Sequence, residues 1–431
     1  MKNLYIILFI LPLIGFGQGW EFQFGGGNNY LENGYSIKQT LNEDFIVTGG
    51  TMFFVSSIGE CPISSYLLKL NSNGDTLFLK NIRGTQSSSI NLTSDNGFII
   101  LGHNQCSDNC ELLLTKTNSS GDIVFEKTYT YPESIFCMVN SVWTGNDVEE
   151  TSDNGFVFSD FWGVYKTDSE GEILWTLWMT ENVNNILNTG PVIELNDGSF
   201  IVGGDYSNDD VLNGESPWIS KINNQGEVIW INYYDNLEGY VTKIQETYDN
   251  GYVFCHNNSI TKINSLGDIE WSLNIGETET SSWIVDIKET PNGDLVYVNN
   301  YTDNLIGQQV ISLNKITDSG EEMWSNVILP NPNDYRQREI HEFQQTSDGG
   351  FILTGNISHP ILDPNNHQCS YVIKTNEWGN ITSTIELPTP TSKRELVKTT
   401  NILGQENTTI KNQPLIEIYD DGSTEKKIVL E

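Results

Sequence analysis

Between residues 37 and 387 the chain alternates short β-branched and aromatic runs with turns rich in Asn, Asp and Gly. Seven copies of a first turn-and-run are Asn42–Val47, Asp95–Ile100, Asp153–Phe158, Asn196–Ile201, Asp249–Phe254, Pro291–Val296 and Asp348–Leu353. Asn-Gly and Asp-Gly pairs supply the positive φ of tight hairpins, and β-branched and aromatic residues suit the strands that follow. A second turn follows each copy, with its glycine at Gly74, Gly121, Gly171, Gly226, Gly267, Gly320 and Gly379. Three further positions keep register with that glycine. Five residues before it stands a lysine, Lys69, Lys116, Lys166, Lys221, Lys262, Lys315 or Lys374. Three before it stands Asn or Asp in six of seven copies, Thr317 being the exception. Four after it come Phe78, Phe125, Trp175, Trp230, Trp271, Trp324 and finally Ser383. The copies recur about every 51 residues. Two hairpins per unit make four strands, which is the anatomy of a propeller blade. The expected fold is all-β: a single seven-bladed β-propeller of four-stranded blades.

The last copy carries Ser383 where the others carry a ring, and the N-terminal stretch offers a replacement. Trp20-Glu21-Phe22-Gln23-Phe24-Gly25 matches Trp271-Ser272-Leu273-Asn274-Ile275-Gly276 in its ring and glycine positions. Two outer strands are therefore available to the seventh blade, Trp20–Gly25 and Ile381–Leu387, and the ring pattern favours the first. Ring closure removes the exposed sheet edges of an open array. The spacing Asn/Asp, two residues, Gly, three residues, Trp resembles the tryptophan-docking repeats of quinoprotein-like propellers, and also the repeats ahead of sorting tails in secreted Bacteroidetes proteins. That resemblance spans roughly Ile37 to Leu387 and implies fold only. It implies that Trp20, Phe78, Phe125, Trp175, Trp230, Trp271 and Trp324 pack between blades, each ring worth about 2–3 kcal/mol of burial.

The two ends read as addresses. Met1-Lys2-Asn3 precede an apolar run from Leu4 to Phe16, closed by Gly17-Gln18-Gly19, the pattern of a secretory signal peptide over residues 1–17. The run is short of the roughly twenty residues of a spanning helix, and no cysteine follows Gly17 to take a lipid. Composition then breaks at Pro388-Thr389-Pro390: Gln18–Pro390 holds 15 basic and 50 acidic residues, whereas Thr391–Glu431 holds 6 and 7. The expected domains are the signal peptide, the propeller over 18–388 and a tail over 389–431. The residues of the tail suggest a β-hairpin turning at Asp421-Gly422. Leu403-Gly404-Gln405, then Ile418-Tyr419-Asp420-Asp421-Gly422, then Lys426-Lys427-Ile428 stand in the order found in type IX secretion sorting tails of Bacteroidetes. This resemblance implies passage across the outer membrane, removal of the tail, and surface attachment or release, with the sorting machinery as partner.

Charge narrows the partners. The 431 residues carry 57 acidic against 22 basic side chains, a net charge of −35, and 11% are aromatic. So acidic a chain disfavours nucleic acid and anionic membrane surfaces, which call for basic patches. The aromatic content argues for a packed domain over a disordered acidic tail.

Candidate chemistry is sparse. The seven register lysines suggest either a ring for an anionic glycan or, the reading the composition favours, stems laid on strands and paired with carboxylates. The turn Asn and Asp residues read as self-capping. The stretch Asp205–Glu215, with Asn208, Asp209, Asp210 and Asn213, is the densest set of oxygen ligands and a place for Ca²⁺; otherwise it is a solvated acidic loop. His359, His367, Cys369 and Asp363 could hold zinc, though at no known finger spacing. His103, His256 and His341 belong to different blades and share no register. No Gly-x-Ser-x-Gly elbow, Walker loop or His-Glu-x-x-His occurs. Among six cysteines, the preferred pairing is Cys106–Cys110 with Cys61–Cys369, while Cys137 and Cys255 read as buried thiols. Trp218, Trp283 and Trp378 fall near turns or strand starts, where a ring either stacks on a sugar or caps a blade.

The expectation is a monomeric, non-enzymatic binding or adhesion scaffold, secreted or surface-displayed, with a glycan or protein ligand, no catalytic residue and no required cofactor. The alternatives are a glycan lyase or hydrolase acting in the central channel, and a structural surface-layer component.

Overall fold

The computed structural model describes residues 19–25, 30–53, 64–84, 86–104, 111–130, 147–179, 186–207, 214–275, 282–303, 308–328, 337–358, 368–381, 396–401, 414–419 and 424–428. It divides into two compact units, 1–382 and 383–431. The larger is a seven-bladed β-propeller. Its innermost strands are Tyr30–Gln39, Gln86–Leu92, Val148–Glu150, Ile186–Glu194, Val241–Glu246, Ser282–Glu289 and Gln337–Gln345, and each opens an antiparallel blade of four strands. In the smaller unit Leu396–Asn401, Pro414–Tyr419 and Thr424–Ile428 pair into a three-stranded antiparallel sheet. Among the described residues no helix is long and apolar enough to cross a membrane.

The seventh blade borrows its outer strand. Trp20–Gly25 pairs antiparallel with Gln368–Thr375, setting Trp20 opposite Lys374. The same lysine-to-ring pairing recurs as Lys69↔Phe78, Lys116↔Phe125, Lys166↔Trp175, Lys221↔Trp230, Lys262↔Trp271 and Lys315↔Trp324. Trp20, Phe22 and Phe24 turn inward and Glu21 and Gln23 outward, the period-two alternation of a half-buried strand.

The core lies between blades. Seven apolar clusters each combine residues of two neighbours; blades 7 and 1 share Ile352 and Val372 with Ile37, Phe45 and Leu68, and the three inward rings of Trp20–Gly25 pack on them. A blade twists too strongly to bury both faces alone, so each stands on its neighbours.

All fourteen turns on one face, between the first and second and after the third strand of every blade, are five residues long. Within each, the first residue's N–H bonds to the fifth carbonyl and the fourth N–H to the first carbonyl. The fourth residue is left-handed: Glu43, Asn96, Asn154 and Asn250 at φ 63–64°, and glycines such as Gly74 and Gly293 elsewhere. In Asn292-Gly293 it is the glycine that carries the positive φ, whereas in the Asn-Gly pairs of blades 2, 3 and 5 it is the Asn. The glycine behind it serves another end: a Cβ on Gly97 would fall 2.1 Å from the Thr117 carbonyl oxygen and 2.6 Å from Lys116 Nζ. On the opposite face the connections between described strands run from 2 residues, at 257–258, to 17, at 131–147.

Candidate functional site: the turn face, the channel and the long-loop face

The register lysines are paired within their own blades. Lys69, Lys116, Lys166, Lys221, Lys262, Lys315 and Lys374 meet Asp44, Asp95, Asp153, Asp197, Asp249, Asp294 and Asp348 in turn. Three arrangements deliver the carboxylate, blade 4 standing alone with Asp197 third in a turn led by Leu195 and Ser199 at the fifth position donating to it. In blades 2, 3, 5 and 7 the aspartate is third in the turn and glycine fifth; a threonine at the first position donates to the aspartate, as Thr93 does to Asp95 at 2.6 Å. In blades 1 and 6 the aspartate is itself fifth, and Thr40 or Thr290 donates to its backbone carbonyl. Where glycine is fifth the lysine sinks further, its side chain 3–7% exposed against 13–19% in the other blades. Burial opposes the charge on Asp95, but hydrogen bonds from Lys116, Thr93 and the Gly97 N–H outweigh it and draw the carboxyl down to about 2. Asp249 follows the same rule. These ammonium groups form no open cationic ring; they rivet hairpin to hairpin. Neither the aspartate partners nor the leading threonine was read from the sequence, although Thr occupies that first position in six of seven turns.

The docking rings lie against the next blade's turn. A Cβ on Gly74 would stand 3.0 Å from the Trp20 ring, and Gly121, Gly171, Gly226, Gly267 and Gly320 face Phe78, Phe125, Trp175, Trp230 and Trp271 likewise. Trp20, Trp175 and Trp271 also donate Nε1–H to the carbonyls of Ser72, Asn224 and Asp318, two residues before those glycines. Trp324 packs on the core shared by blades 6 and 7. Trp218 is fully buried and donates to the Asp205 carbonyl, so it has no face for a sugar. Trp283 packs on the same blade 6–7 core, and Trp378 is 58% exposed on a short turn.

The channel is lined by one inner strand from every blade. Near its short-turn end a cavity of about 110 Å³ is walled by Lys38, Asp147, Glu149, Lys243, Lys288 and Glu342, with Ser89, Asn91 and Ile193. Lys38 pairs with Glu342 at 2.5 Å, Lys288 with Asp286 at 2.9 Å, and Lys243 reaches past blade 4 to Asp147 at 2.8 Å. Burial works against Glu342, yet Lys38, Lys243 and Lys288 hold its carboxyl down to about 2. Glu149 goes the other way. Burial, with Glu194 and Asp147 nearby, lifts it to about 7 although the Glu194 N–H bonds to it. Of the 15 basic residues between Gln18 and Pro390, seven are the turn lysines and three converge here.

Other expected sites divide. Asp205 is buried, with Oδ1 lacking a partner, and burial together with Glu215 raises its carboxyl to about 7. The rest of that stretch, Asn208, Asp209, Asp210 and Asn213, lies outside the described residues, and no cluster fit for a metal occurs among the described ones. His359, Asp363, His367, Cys61, Cys106, Cys110 and Cys137 also lie outside them; Cys369 is described, half-buried in its strand, and Cys255 is a buried free thiol. His256 is held by the Glu238 carbonyl and Thr261. Tyr419, Lys426 and Lys427 lie on strands of the small sheet, while Leu403, Gly404, Asp420, Asp421 and Gly422, like the segment 1–17, lie outside the described residues.

No family model matches the chain, and no curated protein sequence does. Solved structures do. The WD40 β-propeller domain of Doa1 superposes with a TM-score of 0.52 at 12% identity, over 83% of this chain and 96% of that one. A chain of a mitotic checkpoint complex gives 0.51 at 10% identity, over 87% and 97%. At such identities the likeness is one of fold.

Proposed function

We propose that this protein is an exported, non-enzymatic binding or adhesion scaffold, carried to the cell surface or released by the type IX secretion route that its tail resembles. One observation carries the reading: fourteen turns of uniform length on one face stand against connections of 2 to 17 residues on the other. A frame held constant on one side and varied on the other is how rigid scaffolds present recognition loops. The ring supplies the rigidity, and the surplus of carboxylates keeps a large exported surface hydrated. A channel enzyme has less behind it, because Lys38, Lys243, Glu342 and Glu149 are each engaged in a bond between strands, and Lys288 is paired with Asp286 two residues away on its own strand.

The test is a ligand screen on glycan arrays and immobilised surface extracts, with the full chain and a variant shortened within 131–146. Binding that the shortened variant loses while keeping its melting temperature is the expected result. Absence of any ligand, or binding indifferent to every long-loop change, overturns the reading. Export has its own test: a chain ending at residue 388 should fail to reach the surface of the producing cell.

A further inference from the structure

The channel has a second level, on the long-loop side of its charged layer. Tyr35 and His341 each occupy the extra residue of a β-bulge in the inner strands of blades 1 and 7. A bulge re-aims one side chain out of the strand's alternation. The two rings meet with centroids 5.2 Å apart and planes tilted by 43°, and both residues are half-buried. Polar groups surround them. Asn33 hydrogen-bonds to Tyr35 through its amide, while Asn33 Oδ1 is buried with no partner. Asn356 Nδ2 donates towards His341 Nε2 at 3.1 Å and towards the Glu339 carboxylate at 3.4 Å. Burial lifts the Tyr35 hydroxyl to about 12, Asn33 opposing and Glu339 adding, and burial also holds the His341 imidazole below its usual value. Both rings are neutral at pH 7.

We propose that Tyr35, His341, Asn33, Asn356 and Glu339 form a subsite for a neutral sugar ring, an inference that rests on the long-loop face being a binding face. The paired rings offer an apolar surface to the C–H side of a pyranose. Donors and acceptors held in fixed positions at its edge match a set of hydroxyls. The orphaned Asn33 Oδ1 costs stability until a donor reaches it, and a sugar hydroxyl is such a donor. An acidic sugar fits less well: Lys38, Lys243 and Lys288 are already paired one layer below, and Glu339 would repel a uronate.

The full chain is screened against neutral and uronate-containing oligosaccharides, and the best neutral ligand is titrated by calorimetry into the parent, Tyr35→Phe and His341→Gln. The expected result is neutral-sugar binding that weakens about tenfold in Tyr35→Phe, with the variant still melting cooperatively a few degrees below the parent at most, and imidazole resonances of His341 that shift on adding sugar. Equal binding by both variants, or binding of uronates alone, overturns the subsite and leaves the scaffold standing. A chain that binds protein ligands through its long loops but no glycan does the same. A chain that binds nothing overturns both.

Discussion

Removing the Trp20 side chain tests whether the N-terminal strand closes the ring. The indole is half-buried, donates Nε1–H to the Ser72 carbonyl at 2.9 Å, lies over Gly74, and stands edge-on to Phe45 at 5.8 Å between centroids. Burying somewhat over 100 Å² of ring at about 25 cal/mol/Å² contributes about 2–3 kcal/mol. The hydrogen bond adds about 1 kcal/mol, so Trp20→Ala should cost about 3–4 kcal/mol. A ring of this length unfolds with an entropy of about 0.7–0.8 kcal/mol/K, which converts that cost to a melting-temperature loss of about 4–5 °C. Trp175→Ala is the internal standard. Trp175 makes the same bond, to the Asn224 carbonyl at 3.0 Å, and meets Phe200 at 5.9 Å, but its strand continues from its own blade's hairpin. Both variants are melted by calorimetry. If Trp20 fastens the closure, its loss costs at least as much as that of Trp175. A Trp20→Ala melt within error of the parent, beside a clear loss for Trp175→Ala, would refute closure by this strand.

Glu149→Gln should stabilise the protein in a pH-dependent way. The folded carboxyl is raised from 4.5 to about 7, so its cost is absent below about pH 4.5, grows as pH rises and is complete above about 7; the variant should gain up to about 3 kcal/mol at pH 8 and little at pH 4.5, and equal gains at both pH values would contradict this. Gly97→Ala should cost about 2–4 kcal/mol because its Cβ strikes the Thr117 carbonyl and Lys116 Nζ, whereas Gly198→Ala meets nothing and loses only about 1–2 kcal/mol for its φ of 76°. Denaturant melts that rank the two the other way would refute that account of the glycines. In blade 1, Asp44→Gly and Asn42→Asp together should recreate the arrangement of blade 2 around Lys69. A double-mutant cycle should then return a favourable coupling of about 1–3 kcal/mol; no coupling would mean that the carboxylate's place is immaterial.

The blades were legible because the sequence states the same thing seven times. A lysine, a turn glycine and a ring at constant offsets record one hairpin, and the missing ring at Ser383 pointed to Trp20. What each residue does was less legible. Asn-Gly marked the first turn correctly while hiding the division of labour, in which Asn96 takes the left-handed φ and Gly97 makes room for the ammonium of Lys116. The channel escaped the sequence for a physical reason. Its residues lie on inner strands interrupted by bulges at Gly34/Ser36, Ser87/Ser89, Ile284/Asp286 and Ile340/Glu342, among others. Each bulge shifts the alternation by one, so no period-two pattern marks the channel face. Partners there are also remote in sequence: Lys38 and Glu342 are 304 residues apart and Lys243 and Asp147 are 96 apart. Tyr35 and His341 meet only because the first and last blades are neighbours.

The seven lysines also explain why the two faces differ. Each lysine side chain is 3–19% exposed and its ammonium needs a carboxylate within reach, since a buried charge left unpaired is strongly destabilising. That need is met from the third or the fifth position of a five-residue first turn in every blade. The docking ring engages the second turn, as its indole or phenyl rests on the neighbour's glycine. Both requirements fall at the same end of every blade. The other end carries no recurrent bond of either kind among the described residues, so its connections are free to change length without opening the ring. A binding function on a propeller of this kind therefore belongs on the face that the repeat does not need, and the floor of that face, between blades 7 and 1, is where Tyr35 and His341 stand.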